Sequence, residues 1–479
     1  MTRHAIGASP DDTFRRVEIT GITRAVVFAL ALVSGCRSFD GPDRAGYRFE
    51  PKGCPTTLVA ANAICGSVEV PEDYSNRVGR TISLNVVVFK ATEKGSGQDA
   101  QFDLEGGAGY AVTDSAEFYA TDGAIYRTHR DVVLADMRGT GESGGLFCPG
   151  LTEYARSDPR APVYPPALVR ECAATLSSRV DLRQYTTAAA ARDMDAIREA
   201  LGYRWWDLNA LSYGTTLALR YIADYPDRVR TAVLMGTVPA SRMPPRHHAQ
   251  SAERGLDLLF QACAAEPACA ARYPDPAADL RRALQRLDPE TGAVFLEKVR
   301  TLLYVPATAR RVPSILHKAA EGDFQVFEKV ATGRRFADGS YLSITCSESM
   351  ARMDADRAIA ESDETRFGAY RLRRQRDACS AWPIAPSDPK LLDAPISHVP
   401  VLFISGALDP VTPPEWAAET AARFPASRQV IVPQGAHVLD GMSGLDTCLD
   451  QVVPEFLEKG SAAGIDVTCF QSMQAGPFP

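Results

Sequence analysis

The sequence predicts an α/β fold in which a mostly parallel sheet is flanked by helices and carries an inserted helical cap. Short apolar segments of strand length alternate with helical segments in the middle of the chain, which is typical of a parallel sheet wrapped in helices. A long helix-like block then separates two further apolar strands. With 479 residues the chain can form one large domain with an insertion, or two domains.

The predicted strands are short and apolar. The segment that follows Cys65 alternates polar and apolar residues and fits an antiparallel edge strand. The strand 81–89 ends in a continuous apolar run, as buried strands do. Helical spacing marks 187–201, which Gly202 ends, and a second helix is predicted over 215–225. The other predicted strands are 101–104, 131–136, 205–211, 231–235, 400–405 and 429–432.

The block 240–395 differs in character from the segments on either side. It is helix-like and rich in Ala, Arg and Asp, with few strand-like runs. Because a strand precedes it and another follows it, we interpret it as a cap inserted into a sheet domain formed by 51–239 and 396–479.

The first 36 residues have the pattern of an export signal. The apolar run 25–33 is too short to span a bilayer as a helix, but it has the length of a signal-peptide core. The segment 32–36 resembles a bacterial lipobox, which implies cleavage before Cys36 and lipid on its sulfur. The alternative is a plain secretory signal in which Cys36 has no special role.

The polar residues 37–50 are predicted to form a tether behind this signal. We therefore expect an exported protein that a lipid anchor holds at the membrane, in the periplasm or at the cell surface, and that is otherwise secreted. The lipid is the only membrane contact expected.

The cysteines agree with export. The chain has 11 Cys, and setting aside Cys36 leaves an even number, none in a C-x-x-C zinc pattern. An oxidising compartment is the simplest interpretation, and scattered buried thiols are the alternative. The sequence does not fix the connectivity. Pairing neighbours gives Cys54 with Cys65, Cys148 with Cys172, Cys263 with Cys269, Cys346 with Cys379, and Cys448 with Cys469.

The segment around Ser212 has the pattern of a nucleophile elbow. A predicted strand ends at 211, Ser212 follows, Gly214 comes two residues later, and a helix begins. In such an elbow the serine takes a strained conformation, and small residues two positions on either side let strand and helix approach. Ala210 replaces the usual Gly, which is a departure, although Ala is still small. The alternative is a serine in an ordinary turn.

A general base and an orienting acid are expected for such a serine. Of the seven histidines, His398 and His437 follow the cap, and His398 has no suitable acid before it. His437 and Asp409 each follow a strand through a short loop. In open α/β sheets, ligands bind at these carboxyl ends of the strands. We therefore predict the triad Ser212, Asp409 and His437, in the chain order of α/β-hydrolases. A surface histidine and a turn-forming aspartate are the alternatives.

A glycine-rich loop at 106–109 follows the strand 101–104. The oxyanion of acyl transfer needs two backbone N–H groups in place before charge develops. We predict that Gly107 supplies one and Tyr213, the residue after the nucleophile, supplies the other. The alternative for Gly107 is a flexible turn.

Other ligand classes are not indicated. The segment 139–144 matches G-x-G-x-x-G, but helix breakers follow it at 146–150, so we exclude a dinucleotide site. The net charge is −7 and no long basic run occurs, so nucleic acid is excluded as a partner. No metal or organic cofactor is implied, and the oligomeric state is left open.

These motifs together resemble the secreted tripeptidyl aminopeptidases and proline iminopeptidases, which have the α/β-hydrolase fold. The loop 106–109 is similar to their GGPG loop, with Ala108 in place of Pro. The segment 136–143 is similar to their DxRGxGxS segment, 212–214 to the end of their GxSYG elbow, and 409–412 to their DxxT acid loop. The region 396–470 resembles their TAP-like C-terminal segment, and the likeness covers about residues 50 to 470.

The resemblance implies cleavage near the N-terminus of peptides, with acidic cap residues that bind the substrate ammonium. Glu348 is the candidate for this contact, and a solvated cap residue is the alternative. A carboxylesterase or lipase could use the same triad on esters. A lipid-anchored binding protein without catalysis is the third hypothesis, although no triad member is lost.

Overall fold

The computed structural model describes residues 46–76, 78–329, 335–387 and 395–479. The predicted signal 1–36, with Cys36, and most of the tether lie outside the described residues. Within these described ranges, nine strands form one sheet in the order β1-β2-β3-β5-β4-β6-β7-β8-β9. They are β1 (Phe49–Lys52), β2 (Ala63–Pro71), β3 (Thr81–Phe89), β4 (Asp99–Leu104), β5 (Asp131–Ala135), β6 (Trp205–Leu211), β7 (Val229–Met235), β8 (Val401–Gly406) and β9 (Ser427–Val432).

The helices lie between these strands and after the last one. Those of the sheet region are α1 (Thr56–Ala60), α2 (Ala116–Ala120), α3 (Pro149–Ser157), α4 (Pro166–Ser177), α5 (Thr187–Leu201) and α6 (Tyr213–Asp224). Between β7 and β8 come α7 (His248–Ala265), α8 (Pro267–Arg272), α9 (Pro276–Leu284), α10 (Pro289–Leu302), α11 (Pro306–Ala309), α12 (Val312–Glu321), α13 (Gln325–Lys329), α14 (Asp338–Ile344), a π-helical turn (Thr345–Met350), α15 (Ala355–Asp363) and α16 (Tyr370–Ala381). The chain ends with α17 (Pro414–Ala421), α18 (Leu445–Lys459) and α19 (Cys469–Ser472).

The sheet is antiparallel at one edge and parallel elsewhere. Strands β1, β2, β3 and β5 pair antiparallel in turn, and β5, β4, β6, β7, β8 and β9 pair parallel. The prediction that β2 is antiparallel is confirmed, but the prediction that it is the edge strand is wrong. The outer strand is β1, whose Phe49 pairs with Val68. The predicted tether therefore overlaps the sheet at Phe49 and Glu50.

Alternate residues of the central strands pack into two apolar cores, one on each face of the sheet. In β3, Val86 and Val88 pack in the cluster that contains Met194 of α5, whereas Val87 and Phe89 pack in the cluster that contains Val452 of α18. Successive side chains of a strand point to opposite faces, so each face has its own layer of helices. The predicted parallel sheet flanked by helices is confirmed.

The helices between β7 and β8 have an apolar core of their own, which includes Leu256, Phe295 and Leu316. The segment before α4 packs against these helices. The ring of Tyr164 stacks on that of Tyr341 at 5.9 Å, and the Val163 N–H donates to the Tyr370 hydroxyl at 3.0 Å.

The turn after β5, where the sequence matches G-x-G-x-x-G, is fixed by buried hydrogen bonds. Arg138 is buried and donates to both carboxylate oxygens of Asp193 at 2.6 Å, and to the carbonyl oxygens of Glu72 and Gln184. Ser143 donates to the carbonyl oxygen of Asp136 at 2.8 Å. Arg138, directly before the motif, therefore holds the turn against the sheet and α5.

The five disulfides join cysteines that are neighbours in sequence, which is the pairing considered above: Cys54–Cys65, Cys148–Cys172, Cys263–Cys269, Cys346–Cys379 and Cys448–Cys469. Among the described residues, no helix is both long enough and apolar enough to cross a membrane.

Candidate active site

Ser212 lies at the sharp turn between β6 and α6. Its backbone has φ of +53° and ψ of −122°, in the left-handed half of conformational space that non-glycine residues rarely adopt. The Ser212 N–H donates to the carbonyl oxygen of Met235 at 2.9 Å, which fixes the turn to the end of β7. A strained serine at this place is the geometry of a nucleophile elbow.

Small neighbours allow the elbow to form. A Cβ atom at Gly214 would lie 2.4 Å from the carbonyl oxygen of Leu104, so only glycine lets α6 approach β4. A Cβ atom at Gly106 would lie 3.1 Å from the Cβ of Ser212. The loop 106–109 therefore passes directly over the serine. Because α6 begins at Tyr213, its positive N-terminal end faces the space beside Ser212.

Asp409 and His437 meet behind this turn. The Nδ1 of His437 lies 2.9 Å from Oδ2 of Asp409, and both side chains are buried. The backbone N–H groups of Val411 and Thr412 donate to Oδ1 of Asp409 at 2.8 Å, and the Thr412 hydroxyl donates to Oδ2 at 2.7 Å. A carboxylate that accepts these bonds orients the imidazole with the proton on Nδ1, which leaves Nε2 as an acceptor.

Gly236, directly after β7, makes room for the imidazole. Its φ is +57°, and a Cβ atom there would lie 2.9 Å from Cε1 of His437. The Tyr304 ring packs edge-on against the imidazole on another side, with 5.2 Å between ring centroids. The His437 ring is thus held by Asp409, by the end of β7 and by the helical region.

The predicted site residues surround one cavity of about 440 Å³ between the sheet edge and the helical region. Ser212, His437, Gly107, Tyr213 and Glu348 all contribute to its wall. Asp409 lies behind His437, away from the wall. The structure therefore brings together every catalytic and binding residue that the sequence singled out.

Glu348 lies in the π-helical turn and is buried, so the alternative of a solvated cap residue is wrong. Its carboxylate accepts the Thr187 N–H at 2.7 Å and the Thr187 hydroxyl at 2.6 Å. The Thr187 hydroxyl also lies 2.9 Å from that of Tyr213. Burial raises the pKa of Glu348, and the hydrogen bonds from Thr187 oppose this shift.

Sequence reasoning missed several residues of the site. Thr412 ends the acid loop, and its hydroxyl donates to Oδ2 of Asp409 and lies 3.1 Å from Nδ1 of His437. Arg300 and Arg371 also line the cavity. They come from α10 and α16, and no local motif marks them.

The comparison with known families agrees with this geometry. Residues 104–439 match the sequence model of the α/β hydrolase fold. The chain belongs to this family. The predicted α/β-hydrolase fold and the prediction of a serine hydrolase enzyme are confirmed.

The chain is similar to several curated proteins over most of its length. It is 27% identical over 457 residues to a tripeptidyl aminopeptidase of Streptomyces lividans, with 85% of this chain and 83% of that protein covered. It is 24% identical to the serine protease Hip1 of Mycobacterium tuberculosis, with coverage of 87% and 89%. It is also 27% identical to carboxylesterase B of Mycobacterium tuberculosis, with coverage of 85% and 86%.

Proposed function

We propose that this protein is a serine peptidase that cleaves near the N-terminus of peptides through the triad Ser212, His437 and Asp409. The observation that carries the proposal is the 2.9 Å contact between Nδ1 of His437 and Asp409 behind a strained Ser212 on the same cavity wall. The similarity to a tripeptidyl aminopeptidase and to a serine protease supports a peptide substrate.

In the proposed reaction the Ser212 hydroxyl attacks the scissile carbonyl carbon while Nε2 of His437 takes its proton. The developing oxyanion is stabilised by the N–H groups of Gly107 and Tyr213, and by the N-terminal end of α6. His437 then gives the proton to the leaving amine. Water hydrolyses the acyl-enzyme in the same manner and frees Ser212.

Glu348 is the proposed acceptor for the substrate ammonium. Each of its oxygens accepts one bond from Thr187, and a carboxylate offers about four acceptor positions in all. A buried carboxylate on the cavity wall favours a peptide whose N-terminal amine is free. We further propose that residues 240–395 form the cap that closes over the substrate.

A carboxylesterase is the second candidate, because carboxylesterase B is also 27% identical to this chain. The same nucleophile and oxyanion donors cleave esters. The two candidates differ in whether a free ammonium is required.

The nucleophile is tested with Ser212→Ala and a fluorophosphonate probe. We expect the variant to fold, to hydrolyse neither peptides nor esters, and to remain unlabelled. Ser349→Ala is the matched control, because Ser349 lies on the same cavity wall. Labelling or turnover retained in Ser212→Ala would exclude Ser212 as the nucleophile.

The substrate class is tested by comparing peptide arylamides with free and acetylated N-termini, and short-chain aryl esters. A peptidase of this type cleaves the free form, and Glu348→Gln is expected to raise KM for it much more than kcat changes. Equal cleavage of acetylated peptides, or of esters alone, would favour the esterase.

Export and lipidation of Cys36 are part of the proposal, and the five disulfides support an oxidising compartment. Incorporation of a labelled fatty acid that is lost in Cys36→Ser would establish the anchor. A labelled Cys36→Ser protein would contradict it.

A further inference from the structure

Two arginines of the helical region reach the active-site cavity and share one carboxylate. Arg300 is buried, and its Nε and one terminal nitrogen donate to Glu297 at 2.9 and 2.6 Å. Arg371 lies 3.5 Å from the same carboxylate. Both arginines line the cavity that contains Ser212 and His437. The group formed by Arg300, Arg371 and Glu297 carries one net positive charge.

A second acid, Asp338, interacts electrostatically with Arg371. Asp338 acts electrostatically on Tyr164 beside Arg371, but burial raises the pKa of Asp338 to about 7. Its ionisation at neutral pH is therefore incomplete, and it offsets the positive charge of the arginines only in part.

A neighbouring histidine responds to the same positive potential. His248, at the start of α7, also lines the cavity. Burial of its ring holds the pKa of His248 well below its usual value, and the charges of Arg300 and Arg371 lower it further.

Two buried polar atoms at this place lack a partner. Within the described residues, the buried Nε of Arg371 and the buried Nδ1 of His248 have no hydrogen-bond partner. One terminal nitrogen of Arg371 donates to the Tyr341 hydroxyl at 2.8 Å, which fixes the direction of the guanidinium. Buried polar groups without partners cost free energy unless a ligand or a rearrangement satisfies them.

We propose that Arg300, Arg371 and His248 form an anion subsite that binds a carboxylate of the substrate. This subsite rests on the proposed function. Together with Glu348 it gives the cavity wall one positively charged and one negatively charged region. Arg220 and Arg352 are the cations that act most on Glu348, whereas Arg300 and Arg371 act on His248. A peptide with a free ammonium and a carboxylate, either an acidic side chain or its C-terminal group, matches this arrangement.

The test uses pairs of substrates that differ only in this group. One pair has a C-terminal acid or amide, and the other has Asp or Asn at a fixed position. We expect kcat/KM to favour the acid by about 10- to 100-fold in at least one pair, the usual strength of charge-assisted hydrogen bonds. The pair that responds identifies the source of the carboxylate. No preference in either pair would overturn the proposal.

Three variants separate a binding role from a structural one. Arg371→Gln should reduce the acid-to-amide ratio towards one. Arg374→Gln is the matched control on the same helix, since Arg374 donates to the carbonyl oxygen of Val163 instead. Glu297→Gln should raise the ratio, because it removes the negative charge that offsets the two guanidiniums. A fall of the ratio in Glu297→Gln, or an unchanged ratio in Arg371→Gln, would contradict the subsite.

This test remains informative if the proposed peptidase function fails. The acid and amide pairs are repeated with acetylated N-termini, and with aryl esters of a dicarboxylic acid and of its monoamide. In Ser212→Ala protein, NMR titration of His248 gives a readout without turnover. Binding of the acid ligand should raise the pKa of the imidazole, whereas the amide should leave it unchanged. An imidazole that titrates identically with both ligands would count against the subsite.

Discussion

Replacing Gly236 by Ala is expected to disable the base without unfolding the protein. The new Cβ atom would lie 2.9 Å from Cε1 of His437 and 3.1 Å from Nδ1. The imidazole must retreat by about 0.5 Å to restore ordinary contact. It is already fixed to Asp409 at 2.9 Å, so this retreat lengthens or bends that hydrogen bond.

Misplacement of a catalytic group by about 1 Å can cost about 100-fold in rate, so a retreat of half that distance should lower kcat about tenfold or more. KM should change little, because Gly236 is not on the cavity wall. The positive φ of +57° also strains an alanine at this position and should cost about 1–2 kcal/mol of unfolding free energy.

Gly202→Ala is the control that separates backbone strain from displacement of the His437 imidazole. Gly202 ends α5 with φ of +77°, and a Cβ atom there meets no atom within 4 Å. Both variants should lose similar unfolding free energy in urea, while only Gly236→Ala should lose kcat on the preferred substrate. Equal kcat in the two variants would refute the assignment of His437 as the base held against Gly236.

Three further predictions concern stability. Arg138→Met should cost about 3–5 kcal/mol in urea unfolding because it leaves the buried Asp193 carboxylate without a cationic partner. Arg183→Met, which breaks an exposed ion pair with Asp181, should change the unfolding free energy far less; similar losses would contradict the prediction. Asp338→Asn should match wild type near pH 4 and be more stable near pH 9 by about 4 kcal/mol. Burial raises the pKa of Asp338 to about 7, so the wild type has its full stability below pH 3.8, where the carboxyl group is protonated, and loses stability as the pH rises through 7. A difference in unfolding free energy between the two proteins that stays constant across pH would refute this. Removing Cys346–Cys379 by double Ala substitution should cost about 3–4 kcal/mol, and removing Cys263–Cys269 about 2 kcal/mol, since the first closes 33 residues and the second 6; the reverse order would contradict the loop argument.

The core of the fold was predictable because its segments carry strong local signals. Helix α5 has helical apolar spacing, a capping Thr186 and a terminal Gly202, and the predicted and observed bounds agree. Strand β1 was missed because its four residues include a proline and two charges. It forms a strand because it pairs with β2, and the local sequence of the segment does not indicate this partner.

The candidate site also contains some residues that the sequence predicts and others that it does not. Ser212, Asp409 and His437 follow strands in the order that the fold requires, so topology alone places them at one sheet edge. Gly236 was not predicted as a site residue because its role depends on the imidazole that packs against it. Arg300 and Arg371 look like ordinary helical arginines in the sequence. Their importance comes from the packing of α10 against α16, which residue periodicity does not reveal.

The order of the disulfides bears on how such a chain is oxidised. Each of the five disulfides joins two consecutive cysteines, with sequence separations of 6 to 33. A chain that emerges from a membrane pore with its N-terminus first exposes each thiol shortly before its correct partner. Oxidation in order of emergence then produces the native pairs one after another. For a chain exported as proposed above, this order of pairing does not call for thiol reshuffling by an isomerase.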